Sequence, residues 1–225
     1  MDDNLKALLY LFGGALAFLA GAKLVMALRD GTEVYDYYEP WPEAETPSGC
    51  RNVALLGNSL TAGVTYRVEL EALLGPCNAV QAFAHPGKGT AYIRDRLDAA
   101  LAWGPTDLVV LAGVNDLASG RGVDTVIENL EWIYQTAHEA GVRVVAVTLT
   151  PWAGNKVGKN LQAETQEVND WISWYSTADV VVDTSSMGDE DGYAYDDYVG
   201  KDGLHLTASG QMALALLVRN QAFGW

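Results

Sequence analysis

Five short runs of nearly unbroken Val, Leu and Ala constrain this chain more than any other feature. They are Asn52–Gly57, Ala79–Ala84, Asp107–Ala112, Val142–Leu149 and Asp179–Asp183. A strand with one wet face alternates apolar and polar residues. A strand that is apolar at consecutive positions is buried on both faces, as in a parallel sheet covered by helices. The segments between them, Leu60–Leu74, Thr90–Trp103, Val123–Ala140, Asn160–Tyr175 and Thr207–Phe223, carry apolar residues three and four apart, which is helical spacing. Gly75 and Gly141 stand where helix C-caps are expected. The alternation predicts an α/β fold, a three-layer α/β/α sandwich around a five-stranded parallel sheet with right-handed crossovers. Ligands of such sheets bind beyond the carboxyl ends of the strands. Functional residues are therefore expected directly after strands.

The first thirty residues are different material. Ala7 to Leu28 is apolar except for Lys23. As a helix it would span about 33 Å, enough for a hydrocarbon core of ~30 Å. Lys23 lies near one end, where its ammonium can reach the interface. This segment, within 1–29, is expected to be a membrane-anchoring helix. The alternative is a signal peptide cleaved near Ala20-Gly21-Ala22, which would make the body a secreted protein. Residues 30–49 hold Pro40, Pro42 and Pro47 among acidic and aromatic residues and are expected to form an extended linker. Residues 50–225 then form one domain.

Charge excludes one class of function. The chain carries 14 basic and 29 acidic residues, a net charge of −15, and nucleic-acid binding needs a basic patch. The same acidity is expected to disfavour anionic substrates. There are three histidines, His85, His138 and His205, and no Cys/His cluster with zinc spacing. Asp189-Glu190-Asp191-Gly192 faintly resembles a calcium loop, but Met187 occupies its first ligand position.

Four motifs fall on the expected edge. Ser59 follows the first strand in Gly57-Asn58-Ser59-Leu60. It either caps the next helix or presents its hydroxyl where backbone N–H groups can hold an anion. The Gly-x-Ser-x-Gly elbow is absent, since Thr61 replaces its second glycine. Pro86-Gly87-Lys88-Gly89 follows the second strand, either as a flexible connection or as a close backbone approach to a ligand. Gly113-Val114-Asn115-Asp116 follows the third strand, either as a turn or as a source of an oxyanion-binding amide. Asp202-Gly203-Leu204-His205 precedes the last helix, either as a capping motif or as a carboxylate and imidazole meeting on one turn. A serine hydroxyl needs such a base in reach to act as a nucleophile.

Taken together, these motifs resemble the SGNH hydrolases, also called GDSL esterases and lipases. The likeness runs from about Arg51 to the C-terminus. The resemblance implies a flavodoxin-like sheet and a serine esterase with Ser59 as nucleophile, His205 as base and Asp202 as its partner. It implies an oxyanion hole from Ser59, Gly87 and Asn115, with Gly89 competing for the place of Gly87. No metal or organic cofactor is implied. Asn58 stands where the family has Asp, which keeps the hydrogen bonding but not the charge. The implied substrates are small-molecule, lipid or glycan esters, short acyl or acetyl esters foremost. A lysophospholipase and a catalytically silent, membrane-tethered binding protein are the alternatives.

The family fold also implies that the first two strands lie side by side, which would bring Cys50 and Cys77 within disulfide reach. Such a bond would place the body outside the cytoplasm. Trp152, after the fourth strand, either stacks on a ligand or covers the edge of the core. The acidic, Tyr-rich segment 187–201 is expected to border the pocket.

Overall fold

The structure is a computed structural model, and it describes residues 22–29, 32–40, 49–152 and 161–224. The chain divides into two compact units, Met1–Glu43 and Ala44–Trp225.

In the first unit, β1 (Ala22–Arg29) pairs antiparallel with β2 (Thr32–Pro40), with Arg29 opposite Thr32. This corrects two expectations. The last residues of the predicted membrane helix are a strand, and so is much of the predicted linker. The reason is local. The dipeptide between the paired ends is Asp30-Gly31, the strongest short signal for a two-residue hairpin turn. Val34, Tyr35, Tyr37 and Tyr38 follow it, all strand-favouring residues. The rest of the predicted helix, Ala7 to Gly21, lies outside the described residues. Among the described residues, no helix is long and apolar enough to cross a membrane.

The second unit is the predicted sandwich. Its elements in chain order are β3 (Asn52–Gly57), α1 (Val64–Leu74), β4 (Ala79–Ala84), α2 (Thr90–Arg94), α3 (Leu97–Ala102), β5 (Asp107–Leu111), α4 (Val114–Ala118), α5 (Val123–Glu139), β6 (Arg143–Val147), α6 (Gln162–Trp174), β7 (Val180–Val182) and α7 (Ala208–Ala222). The sheet order is β4-β3-β5-β6-β7, with every pair parallel. The central strands β5 and β6 are buried along their whole length, and β3 is buried beyond Asn52. The edge strands β4 and β7 are only partly buried, as edges with one neighbour must be. On one side α1 packs on α7; α5 contacts both α2 and α6.

Chain order reverses at β3. The chain moves outward to β4 and returns across β3 to β5. The crevice at such a reversal is where open α/β sheets bind ligands. Gly57 pairs with Ala84 on one side and Leu111 on the other, so three strands end at one level. Gly57 has to be glycine: a Cβ there would run into the Thr61 hydroxyl and the Leu111 carbonyl.

The adjacency of β3 and β4 is as the family resemblance implied, but the disulfide is not. Cys50 and Cys77 are free and exposed. The Cys77 thiol is hydrogen-bonded to Cys50, and that contact raises it above its ordinary range. Contact alone does not oxidise two thiols; that step needs a two-electron oxidant. The disulfide therefore contributes nothing to placing the domain outside the cytoplasm.

The opposite rim of the sheet is closed by ions. Asp107, fully buried, accepts from Arg51 Nη1 at 3.0 Å and from Arg143 Nη1 at 2.8 Å. Arg143 also donates to the Ala222 carbonyl at 2.9 Å, tying the end of α7 to the sheet. Asp107→Ala would strand two largely buried cations. It is expected to lower unfolding free energy by about 3–5 kcal/mol in urea titration, while turnover per folded molecule is retained.

Candidate active site

Asn58 sets up the segment after β3. It is fully buried, and its Oδ1 accepts the Leu60 N–H at 2.9 Å while its carbonyl accepts from Ala62 at 3.2 Å. These bonds turn the chain tightly, so α1 starts at Val64 and not at Leu60. Ser59 lies in that turn, outside the helix, and does not cap it; Gly63 does. Asn58 Oδ1 thus makes the bond to Leu60 that a carboxylate oxygen would make here.

His205 arrives from the other end of the chain. Asp202 Oδ1 accepts the N–H groups of Leu204 and His205, each at 3.0 Å. Its Oδ2 meets His205 Nδ1 at 2.7 Å. The other ring nitrogen, Nε2, lies 2.9 Å from Ser59 Oγ. The hydroxyl, imidazole and carboxylate are thus in line, and a proton can pass from Oγ to a ring whose tautomer the carboxylate fixes. The Leu204 N–H first, and the imidazole second, hold the Asp202 carboxyl down to about 2. The imidazole and carboxylate side chains are about half exposed, at 53% and 54%, so the site opens to solvent. The His205 turn is fastened by a Val199–Leu206 bridge and a Gly200 N–H to His205 carbonyl bond of 2.8 Å. Gln211, on α7, bonds both ends: its Oε1 accepts from Tyr66 N at 3.3 Å and its Nε2 donates to the Leu206 carbonyl at 3.2 Å.

The segments after β4 and β5 meet beside them. The Asn115 side-chain amide donates to the Lys88 carbonyl at 2.9 Å. An amide has two N–H donors, so this bond orients the group and leaves one free. Gly87 adopts φ +72°, a conformation that favours glycine. Gly89 is glycine for another reason: a Cβ would press on the Asp116 carboxylate. Among the described residues, no acceptor meets the N–H of Ser59 or of Gly87.

Asp116 is the residue the sequence reading passed over. It is fully buried, with Oδ2 accepting the Thr90 N–H at 2.8 Å and Oδ1 accepting the Thr90 hydroxyl at 3.2 Å. Asn129 Nδ2 donates to the same hydroxyl at 3.1 Å. The carboxylate therefore clamps the chain just after Gly89 to the chain just after Asn115. Burial outweighs these donors and raises its carboxyl above the usual range. Its place in Gly113-Val114-Asn115-Asp116, read as a turn, hid it.

Other candidates lie elsewhere. Trp152 is buried, and its Nε1 donates to Thr165 Oγ1 at 3.0 Å, so it belongs to the core. Asp189 Oδ1 accepts from the N–H groups of Asp191 and Tyr193, closing a local turn. His138 pairs with Asp179 at 2.9 Å.

The family model for GDSL-like lipases and acylhydrolases matches residues 55–213, more than half of the chain. The chain belongs to the GDSL-like lipase/acylhydrolase family. It is an ester-bond hydrolase. No curated protein matches this GDSL hydrolase in sequence. Among solved structures it is similar to the lipase/acylhydrolase from Enterococcus faecalis. The TM-score is 0.62 at 23% identity, over 75% of this chain and 93% of that one. It is also similar to a member of the lipolytic G-D-S-L family from Veillonella parvula. Here the TM-score is 0.63 at 16% identity, over 77% of this chain and 99% of that one.

Asp116→Ala would remove both acceptors from the Thr90 N–H and hydroxyl and break the clamp. The expected outcome is a fall in kcat of about 10- to 100-fold with KM nearly unchanged, read by steady-state kinetics on protein shown to be folded by circular dichroism.

Proposed function

We propose that this chain hydrolyses carboxylic esters of short acyl groups, acetyl esters on glycans among them, through an acyl-enzyme on Ser59. The observation that carries this reading is the continuous line from Ser59 Oγ through the imidazole to the Asp202 carboxylate, with contacts of 2.9 and 2.7 Å. Ser59 Oγ attacks the ester carbonyl as its proton passes to His205 Nε2. The negative charge that develops on the carbonyl oxygen receives the Ser59 and Gly87 N–H groups and the second Asn115 amide proton. Collapse expels the alcohol, which takes the proton from Nε2. Water, deprotonated by the same nitrogen, then releases the acid.

The openness of the site supports a bulky alcohol. Half-exposed Asp202 and His205 sit at a rim, not at the bottom of a tunnel, so an ester on a large molecule can reach them. The competing reading is a binding protein that keeps the fold without turnover.

A p-nitrophenyl ester series tests the proposal. Wild type is expected to turn over acetate and butyrate faster than long-chain esters, and Ser59→Ala is expected to abolish turnover. Equal rates in wild type and Ser59→Ala would favour the binding protein. Asn115→Ala should lose about 10²–10³ in kcat, the usual cost of one oxyanion donor. With Asp202 held to about 2, the carboxylate stays charged above that pH. Followed by NMR, the Asp202 carboxyl carbon should therefore show no titration at mildly acidic pH; a midpoint at the ordinary carboxylate value would overturn this.

A further inference from the structure

The chain's acidity is not uniform. Between residues 85 and 96, the segment leaving β4, stand His85, Lys88, Arg94 and Arg96, against a single carboxylate, Asp95. Asp95 is taken by Arg94, at 3.1 Å. Lys88 and Arg96 have no carboxylate partner among the described residues. They are held by an aromatic ring instead: Lys88 Nζ lies 4.9 Å and the Arg96 guanidinium carbon 4.8 Å from the centroid of Tyr92. A ring face attracts a cation without neutralising it, so both cations keep their full charge. The His85 imidazole stands edge-on to the same ring at 5.3 Å. Burial first, and the Arg96 charge second, hold His85 below its ordinary range, so the positive charge of the cluster is that of Lys88 and Arg96.

This cluster is built onto the catalytic rim. His85 N–H donates to the Gly57 carbonyl at 2.8 Å, two residues before Ser59. Lys88 lies between Gly87 and Gly89, and its carbonyl holds the Asn115 amide at 2.9 Å. The segment that carries both cations thus joins the rim at Gly57 and at Asn115, the residues that flank the Ser59 hydroxyl in the candidate site. An anionic group held at this ring would be attracted by both charges.

We propose that Lys88 and Arg96, displayed on Tyr92, form a subsite for an anionic group, a carboxylate or phosphate, carried by the ester substrate. This rests on the esterase reading above and narrows it: the preferred ester bears a negative charge on its acyl or its alcohol part. It reverses the expectation drawn from net charge.

Two matched ester pairs locate that charge. The acyl arm compares p-nitrophenyl hydrogen adipate with p-nitrophenyl hexanoate. The alcohol arm compares 4-acetoxybenzoate with its methyl ester, following release of the phenol. In each arm the measured quantity is the ratio of kcat/KM for the charged ester to that for the neutral one, at low ionic strength. Arg96→Gln and Lys88→Gln are each expected to lower the ratio by about two- to fivefold in one arm, and Arg96→Lys to restore it. Raising salt to about 1 M should bring the wild-type ratio down to that of the variants. Ratios that stay the same in wild type and variants in both arms would overturn the subsite while leaving the esterase intact. No turnover of any of the four esters by folded wild type would overturn both.

Discussion

Parallel pairing of Gly57 with Ala84 on one side and Leu111 on the other ends three neighbouring strands at a single level. The chain then leaves the sheet three times within reach of one point, carrying Ser59, Gly87 and Asn115. Nothing larger than hydrogen fits at Gly57, because the Thr61 hydroxyl and the Leu111 carbonyl occupy that space. The site is thus a consequence of strand register. Its precision comes from polar clamps added at the rim: Asn58 onto Leu60, the Lys88 carbonyl onto the Asn115 amide, and Asp116 onto Thr90.

The imidazole has no such help from register, since it lies 146 residues from the hydroxyl it meets. Helix packing supplies the link. The helix after Ser59, α1, lies against α7, the helix after His205. Gln211 bonds the Tyr66 N–H of one and the Leu206 carbonyl at the head of the other. At the far end of α7, Arg143 holds Ala222 to the buried Asp107. The ion cluster on one rim of the sheet thus anchors the end of α7 far from His205.

The sheet was legible because burial on both faces writes itself as unbroken apolar runs; β3 and β4 agree with the sequence reading to the residue. Helix starts were less so. The Asn58 turn delays α1 to Val64, and the segment Thr90–Trp103 breaks at Asp95–Arg96 into two helices without a Pro or Gly to mark it. The five candidate residues were named from motifs and resemblance, but the 2.9 Å contact of Ser59 with His205 depends on packing that no local window contains. Asp116 was hidden by its own motif, where Asn115 drew the reading. At the N-terminus, hydropathy over Ala7 to Leu28 outweighed the Asp30-Gly31 turn signal that ends β1. The cysteine pairing failed differently: the two strands lie side by side, but both thiols are free, and strand adjacency does not determine oxidation state.

Charge shows the same gap between average and local quantities. A net −15 is a property of the whole surface, and salt screens exposed charges beyond about 8–10 Å. A substrate at Ser59 therefore meets mainly the groups at the rim. Two carboxylates there are already engaged. Asp202 is bound by two N–H groups and the imidazole, and Asp116 is buried on Thr90. Lys88 and Arg96 rest on a neutral ring and keep their charge. The net charge governs the solubility of the chain, while the groups at the rim govern what is held once a substrate arrives.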